Sequence, residues 1–310
     1  MIKKKIIITG GLGFIGTNLI KKLEKKYKLI IIDNLSTNKK KYYKYSSHNF
    51  LIKKDIKKKI KLPYKDIYAL IHLAAKGSVI DSIKNPNENF LANTVGTFKV
   101  LEICKDYNIK KVIIASTGGA IMGNQNPPVD ENSLPKPISP YGASKLSAEA
   151  YCSAYAYSYG ISITVLRFSN ILGPYSWHKK GIITKYFKSI LNKKPLVIYG
   201  DGNATRDYLY VEDLCDGILN TLKRKLSKFE VLHLSSGKET SINDLIKKIS
   251  KITNIIHLKV IKKRARNGEV NRNFSLNTKA RKKINFKPTY TLDKALIETW
   301  KWFKNYSIDA

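Results

Sequence analysis

The chain has few of the residues that mark secreted, metal-binding or membrane-spanning proteins. Its three cysteines and five histidines show neither the spacing of a disulfide framework nor that of a zinc site. No apolar run approaches the ~20 residues that a membrane span needs, and the apolar stretch near Met1 is cut by glycines too early for a signal peptide. These absences predict reduced thiols, no bound metal and a cytoplasmic protein.

Acidic residues and arginine are also scarce. Lys and Arg number 57 against 23 Asp and Glu, a formal net charge of +34, yet only seven of the basic residues are arginine. A charge of this size is typical of proteins that bind nucleic acid or an anionic membrane. Nucleic-acid readers favour arginine for bidentate contacts, however, and the lysines here are scattered. We therefore predict no nucleic-acid or membrane partner, and only a positive field that attracts polyanionic nucleotides.

Short apolar strands alternate with longer helices over the first half of the chain. Apolar runs predict strands at 5–9, 29–32, 50–52, 69–72, 111–115 and 163–168, and helical periodicity predicts helices at 14–26, 88–107 and 141–159. This alternation is typical of a parallel sheet covered on both faces. We predict an α/β protein, a Rossmann-type doubly wound parallel sheet with a smaller mixed α/β substrate domain.

The pattern becomes less regular after Pro174, which sets the predicted domain boundary. Residues 1–174 form the predicted dinucleotide-binding domain, and a segment at about 206–236 returns to it with a strand at 231–234. Residues 175–205 and 237–310 form the predicted substrate domain.

A glycine-rich loop follows the first predicted strand and opens the first predicted helix. Gly11, Gly13 and Gly16 match G-x-G-x-x-G, and Gly10 extends the pattern. Glycines permit the tight turn and let backbone N–H groups approach a pyrophosphate at the positive end of the helix. Asp33 ends the next strand, where a carboxylate accepts hydrogen bonds from an adenosine ribose and repels a 2′-phosphate. This context predicts NAD rather than NADP, whereas a plain glycine turn is the alternative.

A tyrosine and a lysine lie one helical turn apart at the start of the third predicted helix. Ser139 can cap a helix that Pro140 begins, which places Tyr141 in the first turn and Lys145 on the same face. A free tyrosine has a pKa near 10, and the Lys145 ammonium together with a cationic nicotinamide would favour the phenolate. With the glycine loop this pair predicts hydride chemistry on an alcohol or ketone. Without the loop it would be an ordinary exposed pair.

Together these motifs resemble the extended short-chain dehydrogenase/reductases, and within them the nucleotide-sugar 4-epimerases such as UDP-glucose 4-epimerase. The resemblance covers nearly the whole chain. Its further marks are the runs at 55–56, 72–75, 93–97, 166–170, 173–174, 199–202, 205–207 and 264–269. It implies NAD-dependent epimerisation of a UDP-sugar, UDP-glucose or UDP-galactose, at C4 through a transient 4-keto intermediate.

The resemblance also implies two sets of binding residues. The cofactor set is Gly10, Gly13, Phe14, Ile15, Gly16, Asp33, Asn34, Asp55, Ile56, Ala74, Ala75, Lys76, Asn93, Tyr141 and Lys145. In it Asp55 and Ile56 lie against the adenine, and Lys145 holds the nicotinamide ribose. The substrate set is Asn170, Arg206, Arg266, Glu269 and Asn273. Asn170 touches the diphosphate and Glu269 binds the uridine ribose, while the two arginines clamp the phosphates with their guanidinium forks.

A further implied group donates a hydrogen bond to the reacting oxygen. Gly118 falls where a serine is common in these epimerases, so we predict Thr117 as the donor and Ser116 as the alternative. Related dehydratases and decarboxylases carry carboxylates just after this position, whereas Gly118 and Gly119 cannot transfer protons. Tyr141 then acts as the acid and base of a redox-neutral epimerisation. A nucleotide-sugar oxidoreductase or dehydratase and a UDP-glucuronate 4-epimerase are the alternatives.

Asn273 bears on which sugar the site accepts. It lies four residues beyond Glu269, where some UDP-glucose 4-epimerases have a bulkier tyrosine. UDP-N-acetylhexosamines could therefore be accepted as well, although Asn273 could equally be a solvated loop residue.

The two long helices bear on assembly, because family members often dimerise through them. Tyr151, Tyr155 and Tyr159 form one aromatic stripe on the second helix. We predict a homodimer, and the alternative is that the stripe belongs to the core.

Overall fold

The fold consists of short strands and helices that alternate along most of the chain. The computed structural model describes residues 3–37, 46–255, 257–265 and 270–308. The first elements are β1 (Lys5–Thr9), α1 (Phe14–Leu23), β2 (Lys28–Asp33), β3 (Phe50–Lys53), β4 (Ile67–His72), α2 (Val79–Lys84), α3 (Pro86–Phe90), a π-helical turn (Leu91–Val95), α4 (Gly96–Asp106), β5 (Lys111–Thr117), α5 (Gly118–Met122), α6 (Pro140–Tyr159) and β6 (Ser162–Phe168). Then follow β7 (Asn170–Leu172), α7 (Ile182–Leu191), β8 (Leu196–Tyr199), β9 (Thr205–Arg206), β10 (Tyr208–Tyr210), α8 (Val211–Lys223), β11 (Phe229–Leu234), β12 (Thr240–Ser241), α9 (Ile242–Thr253), β13 (Val260–Lys263), α10 (Thr278–Ile284) and α11 (Leu292–Ile308).

A seven-stranded parallel sheet forms the centre of the fold. Its strand order is β11-β6-β5-β4-β1-β2-β3. The middle of β1, Ile6 to Ile8, is fully buried because apolar clusters cover both faces of the sheet. β1 lies beside β4, and the chain continues from these two strands towards opposite edges of the sheet. This arrangement confirms the predicted Rossmann-type fold and creates a crevice at the carboxyl ends of β1 and β4.

All seven predicted strands are present, each within two residues of its predicted ends. β11, the returning strand, pairs with β6 at the edge of the sheet. The pairing of β8 with β13 joins the two segments assigned to the substrate domain. The division into two domains itself stays a prediction. None of the helices in the described ranges has the length and apolar character needed to cross a lipid bilayer.

Two helices differ from their predicted form. α1 ends at Leu23 rather than at 26, because a turn brings the chain back to the start of β2. The predicted helix at 88–107 is present as a continuous helical run from Pro86 to Asp106, but its middle turn, Leu91–Val95, is π-helical. Such wide turns often occur at functional sites. This one contains the buried Asn93 and its hydrogen bonds to a neighbouring loop.

Candidate active site

A cavity of about 1500 Å³ lies at the carboxyl ends of the central strands. The predicted site residues that line it are Gly10, Gly13, Phe14, Ile15, Gly16, Asp33, Asn34, Asp55, Ile56, Ala74, Ala75, Lys76, Ser116, Thr117, Tyr141, Asn170, Arg206 and Asn273. Asn93 and Lys145 lie beneath its wall, and Arg266 and Glu269 fall outside the described residues. Within the described part of the chain, no group of three or more His, Cys, Asp or Glu side chains could hold a metal ion.

Gly10 and Gly16, at the two ends of the loop between β1 and α1, have no room for side chains. Gly10 has a φ of +68°, in the left-handed region that favours glycine. A Cβ added to Gly16 would lie 2.5 Å from the carbonyl oxygens of Gly10 and Gly11. The first turn of α1 carries no acidic side chain. Backbone atoms therefore form this part of the cavity wall. Such a wall suits a pyrophosphate, because the free N–H groups at the N-terminus of a helix bind its oxygens.

Two carboxylates lie on the wall next to this loop. Asp33, at the end of β2, accepts hydrogen bonds from the backbone N–H groups of Leu12 at 2.9 Å and Leu35 at 2.8 Å. Asp55 accepts a hydrogen bond from the Asn34 amide at 3.1 Å. With the glycine loop, they form a site whose shape and chemistry fit the predicted NAD.

Asn93 supports the cavity from below. Its side-chain oxygen accepts a hydrogen bond from the Lys76 N–H at 2.8 Å. Its amide donates to the Lys76 carbonyl at 3.2 Å and to the Ser144 hydroxyl at 3.0 Å. Asn93 thereby ties the loop after β4 to α6, and it positions Lys76 at the cavity wall.

Tyr141 lies in the first turn of α6, as its sequence predicts. The Ser139 hydroxyl caps this helix by accepting a hydrogen bond from the Gly142 N–H at 3.2 Å. Burial raises the pKa of the Tyr141 phenol to about 12, and a hydrogen bond with the Thr117 hydroxyl acts in the opposite direction. The sequence led us to expect that Lys145 lowers this pKa. With the chain's own groups alone, burial instead keeps the pKa of Tyr141 above its usual value.

Lys145 explains this difference. Its ammonium donates a hydrogen bond to the Ala115 carbonyl at 2.8 Å, beneath the cavity wall. Burial lowers the pKa of Lys145 to about 8, because desolvation disfavours the charged form. Sequence spacing placed Lys145 on the same helical face as Tyr141, but the neighbouring strand β5 determines where its ammonium points.

Ser116 and Thr117, the two candidate hydroxyl donors, have different surroundings. The Ser116 hydroxyl donates to Glu149 Oε1 at 2.6 Å. Glu149 in turn accepts hydrogen bonds from Arg167 Nη2 at 2.7 Å and from Arg167 Nε at 3.1 Å. The Ser116 hydroxyl is thus engaged in a buried ion-pair network, whereas Thr117 contacts Tyr141. This geometry favours Thr117.

Replacing Glu149 should destabilise the fold strongly. Glu149→Gln removes the charge that compensates a nearly fully buried Arg167, and leaving a buried charge unpaired costs about 3–5 kcal/mol. We expect the free energy of unfolding in urea to fall by about that amount. The control is Glu298→Gln, which breaks an exposed pair with Lys301 and should cost less than about 1 kcal/mol. Equal effects of the two variants would contradict this view of the network.

The three predicted substrate residues that the structure describes come from elements far from the glycine loop in sequence. Asn170 lies on β7, Arg206 on β9 and Asn273 on the segment before α10, and all three line the cavity. Arg206 donates hydrogen bonds to the Thr205 carbonyl at 2.7 Å and the Asn271 carbonyl at 3.3 Å. Asn273 packs on Gly119 so closely that a Cβ at Gly119 would lie 2.2 Å from the Asn273 amide nitrogen. Asn273 is buried and therefore belongs to the cavity wall beside Gly119 rather than to a solvated loop.

Sequence reasoning missed Lys179, which lines the same cavity. Its Nζ lies 3.7 Å from the place that a Cβ on Gly77 would occupy, and the Tyr141 hydroxyl lies 4.0 Å from that place. Nothing in the sequence distinguished Lys179 from the many other lysines of the chain. Only its position in space, close to Tyr141, indicates a role in the site.

Comparison with known proteins identifies the family. The model of the NAD dependent epimerase/dehydratase family matches residues 6–235. A putative UDP-glucose 4-epimerase of Methanocaldococcus jannaschii is 37% identical over 97% of this chain and 98% of its own length. The UDP-glucose 4-epimerase of Thermotoga maritima, solved with UDP-glucose, is 32% identical with a TM-score of 0.90, over 98% of this chain and 99% of that one.

A third relative was solved with a cofactor. The UDP-glucuronic acid 4-epimerase of Bacillus cereus, in complex with UDP-glucuronic acid and NAD, is 30% identical with a TM-score of 0.89, over 97% of this chain and 99% of that one. The predicted cofactor, NAD, is the one that the family's description names. The sequence, the fold and the cofactor site agree, and the chain belongs to the NAD-dependent epimerase/dehydratase family.

Proposed function

We propose that the chain epimerises a UDP-sugar at C4 through a transient 4-keto intermediate. One observation carries this proposal: Tyr141 and Thr117 line the same cavity, and the Thr117 hydroxyl lies close enough to the phenol to lower its pKa. Thr117 is followed by two glycines, Gly118 and Gly119, where elimination would need a second acid. A single acid/base group can remove one proton and return it, which suits a redox-neutral isomerisation. The named relatives, two UDP-glucose 4-epimerases and one UDP-glucuronic acid 4-epimerase, support it.

Each residue has a distinct part in this proposal. NAD, when bound, supplies the hydride acceptor and a positive charge next to the phenol. Tyr141 takes the proton from the C4 hydroxyl and returns it to the ketone oxygen after the sugar has turned its other face. Thr117 donates a hydrogen bond to that oxygen. Lys145, whose ammonium donates to the Ala115 carbonyl, would hold the nicotinamide ribose. Glycines at 118 and 119 keep further proton donors away from C5.

The binding roles remain proposals as well. Asn170 and Arg206 line the cavity, and we propose that they hold the diphosphate together with Arg266. Glu269 is proposed to hold the uridine ribose; it lies with Arg266 outside the described residues. The guanidinium of Arg206 already makes two hydrogen bonds to carbonyls, which fixes its direction for a phosphate.

Separate incubations with UDP-glucose, UDP-N-acetylglucosamine and UDP-glucuronate test the reaction class. We expect NMR to show the C4 epimer of at least one sugar, and absorbance to show no net NADH, because the hydride returns in each cycle. Accumulating NADH would instead identify an oxidoreductase, and a stable 4-keto-6-deoxy sugar a dehydratase. Either result would overturn the proposal.

The N-acetylated sugars depend on Asn273. Its amide lies at the cavity wall beside Gly119, and it leaves more space than a tyrosine would. We propose that an acetamido group can be accommodated there, so UDP-N-acetylhexosamines are candidate substrates in addition to UDP-glucose and UDP-galactose.

We also propose that the chain forms a homodimer and works in the cytoplasm. Tyr155 is buried, whereas Phe90, Leu91, Tyr151 and Tyr159 on α3, the π-helical turn and α6 are exposed apolar side chains. Their location is compatible with a homodimer formed through these helices. All three cysteines are free and buried, which is compatible with the reducing cytoplasm.

A further inference from the structure

Lys179 points into the cavity beside the phenol of Tyr141. It lies between β7 and α7, and its side chain is exposed to the cavity. The Lys179 Nζ lies 3.7 Å, and the Tyr141 Oη 4.0 Å, from the point where a Cβ on Gly77 would stand. The ammonium and the phenol therefore face one small space above Gly77.

Contacts on both sides hold the backbone at Lys179 in place. Its backbone N–H donates to the Ser176 carbonyl at 2.9 Å, and the Ser176 hydroxyl donates to the Gly173 carbonyl at 2.7 Å. The next residue, Lys180, forms an ion pair with Asp81 of α2 at 2.6 Å. The segment is thus tied to the rest of the cavity wall, and the position of Lys179 follows from this tie.

The charge of Lys179 is not neutralised by a carboxylate in the described part of the chain, unlike the charges of two other cavity lysines, Lys76 and Lys57. Lys76 pairs with Glu88 at 3.0 Å, and Lys57 approaches Asp55 at 3.7 Å. Among the residues that the structure describes, none makes a hydrogen bond or ion pair with the Lys179 Nζ. The cavity walls lower the pKa of this ammonium, because they displace part of the water that would solvate its charge. An anionic group that entered the space would remove that cost.

We propose that Lys179 binds a carboxylate on the sugar of the substrate, next to the carbinol that Tyr141 deprotonates. This inference rests on the proposed function, because it takes the C4 hydroxyl to lie at Tyr141. A hexose in that position places the substituent of C5 beside the reacting oxygen. The substituent is a neutral hydroxymethyl group in glucose and galactose and a carboxylate in a hexuronate. Hexuronates are therefore the preferred substrate class.

A fixed ammonium would also protect such a substrate from losing CO2. Oxidation at C4 makes the carboxylate β to a ketone. Decarboxylation would then break the C5–C6 bond and move its electron pair into the ketone as an enolate. Because Lys179 stabilises the negative charge on the carboxylate itself, it opposes this movement. Only the C4–H and O4–H bonds break, and both form again when the epimer is made.

Two nucleotides that differ at C6 alone, UDP-glucuronate and UDP-glucose, test the assignment. The variants are Lys179→Met, Lys179→Arg and the control Lys247→Met, which removes an exposed lysine of α9 that is paired with Asp244 and does not line the cavity. Lys179→Met should lower kcat/KM and the binding constant for UDP-glucuronate by about 10- to 100-fold, the range for a hydrogen bond to a charged group. Values for UDP-glucose should change by less than about threefold. Lys179→Arg should retain most of the preference.

Several outcomes would overturn the assignment. Equal losses of kcat/KM for both nucleotides would show that Lys179 binds the diphosphate, or that its charge acts on Tyr141 whatever the sugar. No loss with either nucleotide would make it a solvated lysine. If the unaltered protein turned over neither nucleotide, the proposed function would be contradicted. Calorimetry would still test the role of Lys179, because Lys179→Met should weaken binding of UDP-glucuronate and leave binding of UDP-glucose unchanged.

Discussion

Tyr141→Phe is expected to lower kcat by about 10³-fold or more while the protein stays folded and keeps its cofactor. The substitution removes only the hydroxyl that would exchange a proton with the substrate, and a positioned acid/base group contributes about 10²–10⁴-fold to a rate. Binding of the UDP-sugar should change little, because the phenol acts mainly in the transition state. The measurement is kcat and KM with the best substrate of the panel.

The matched control is Tyr157→Phe on the same helix. Tyr157 is 63% exposed and remote from the cavity wall, so its loss should leave kcat within about twofold. Thermal midpoints of both variants establish that the folds are intact. If Tyr141→Phe kept more than about a tenth of the activity, another group would have to carry the proton, and the reaction mechanism proposed for this chain would be wrong.

Gly16→Ala is expected to abolish tight binding of NAD and to destabilise the fold. The new methyl group would lie 2.5 Å from two carbonyl oxygens of the glycine loop, so the backbone of the loop or of α1 must move. Inserting a methyl group into a close-packed site costs about 1–3 kcal/mol. A displaced loop also loses its fit to the pyrophosphate, so we expect the Kd for NAD to rise by about 100-fold, which is about 2.7 kcal/mol.

Gly181→Ala is the control for this substitution. Gly181 precedes α7, and a Cβ there would meet nothing within 4 Å. Calorimetric titration with NAD and urea unfolding of the two variants give both quantities without any assay of turnover. Unchanged NAD affinity in Gly16→Ala would show that the glycine loop does not hold the pyrophosphate.

Local features of the site could be predicted because they depend on neighbours in sequence. Ser139 caps α6 and Tyr141 occupies its first turn, since capping and helix geometry act over three or four residues. The glycine pattern likewise predicts a loop of backbone between β1 and α1. The apolar runs predict buried strands, and their alternation with helices leaves few arrangements other than a parallel sheet.

Other features depend on residues far apart in sequence, and the predictions about them were incomplete. The π-helical turn surrounds Asn93, whose partners lie on the loop after β4 and on α6. The choice between Ser116 and Thr117 follows from Glu149, more than thirty residues away. The pKa of Tyr141 is raised by burial, which no spacing rule contains.

By itself, then, the sequence determined the order of strands and helices, the glycine loop for a dinucleotide and the tyrosine at the head of α6. Each of these results from backbone sterics and hydrogen bonds within a few residues. Only the tertiary structure decided which hydroxyl meets the phenol, that the Lys145 ammonium turns to Ala115, and that Lys179 faces the reacting end of the cavity. Those outcomes follow from packing between distant segments, because burial and the direction of a side chain are set by whatever lies next to it in space.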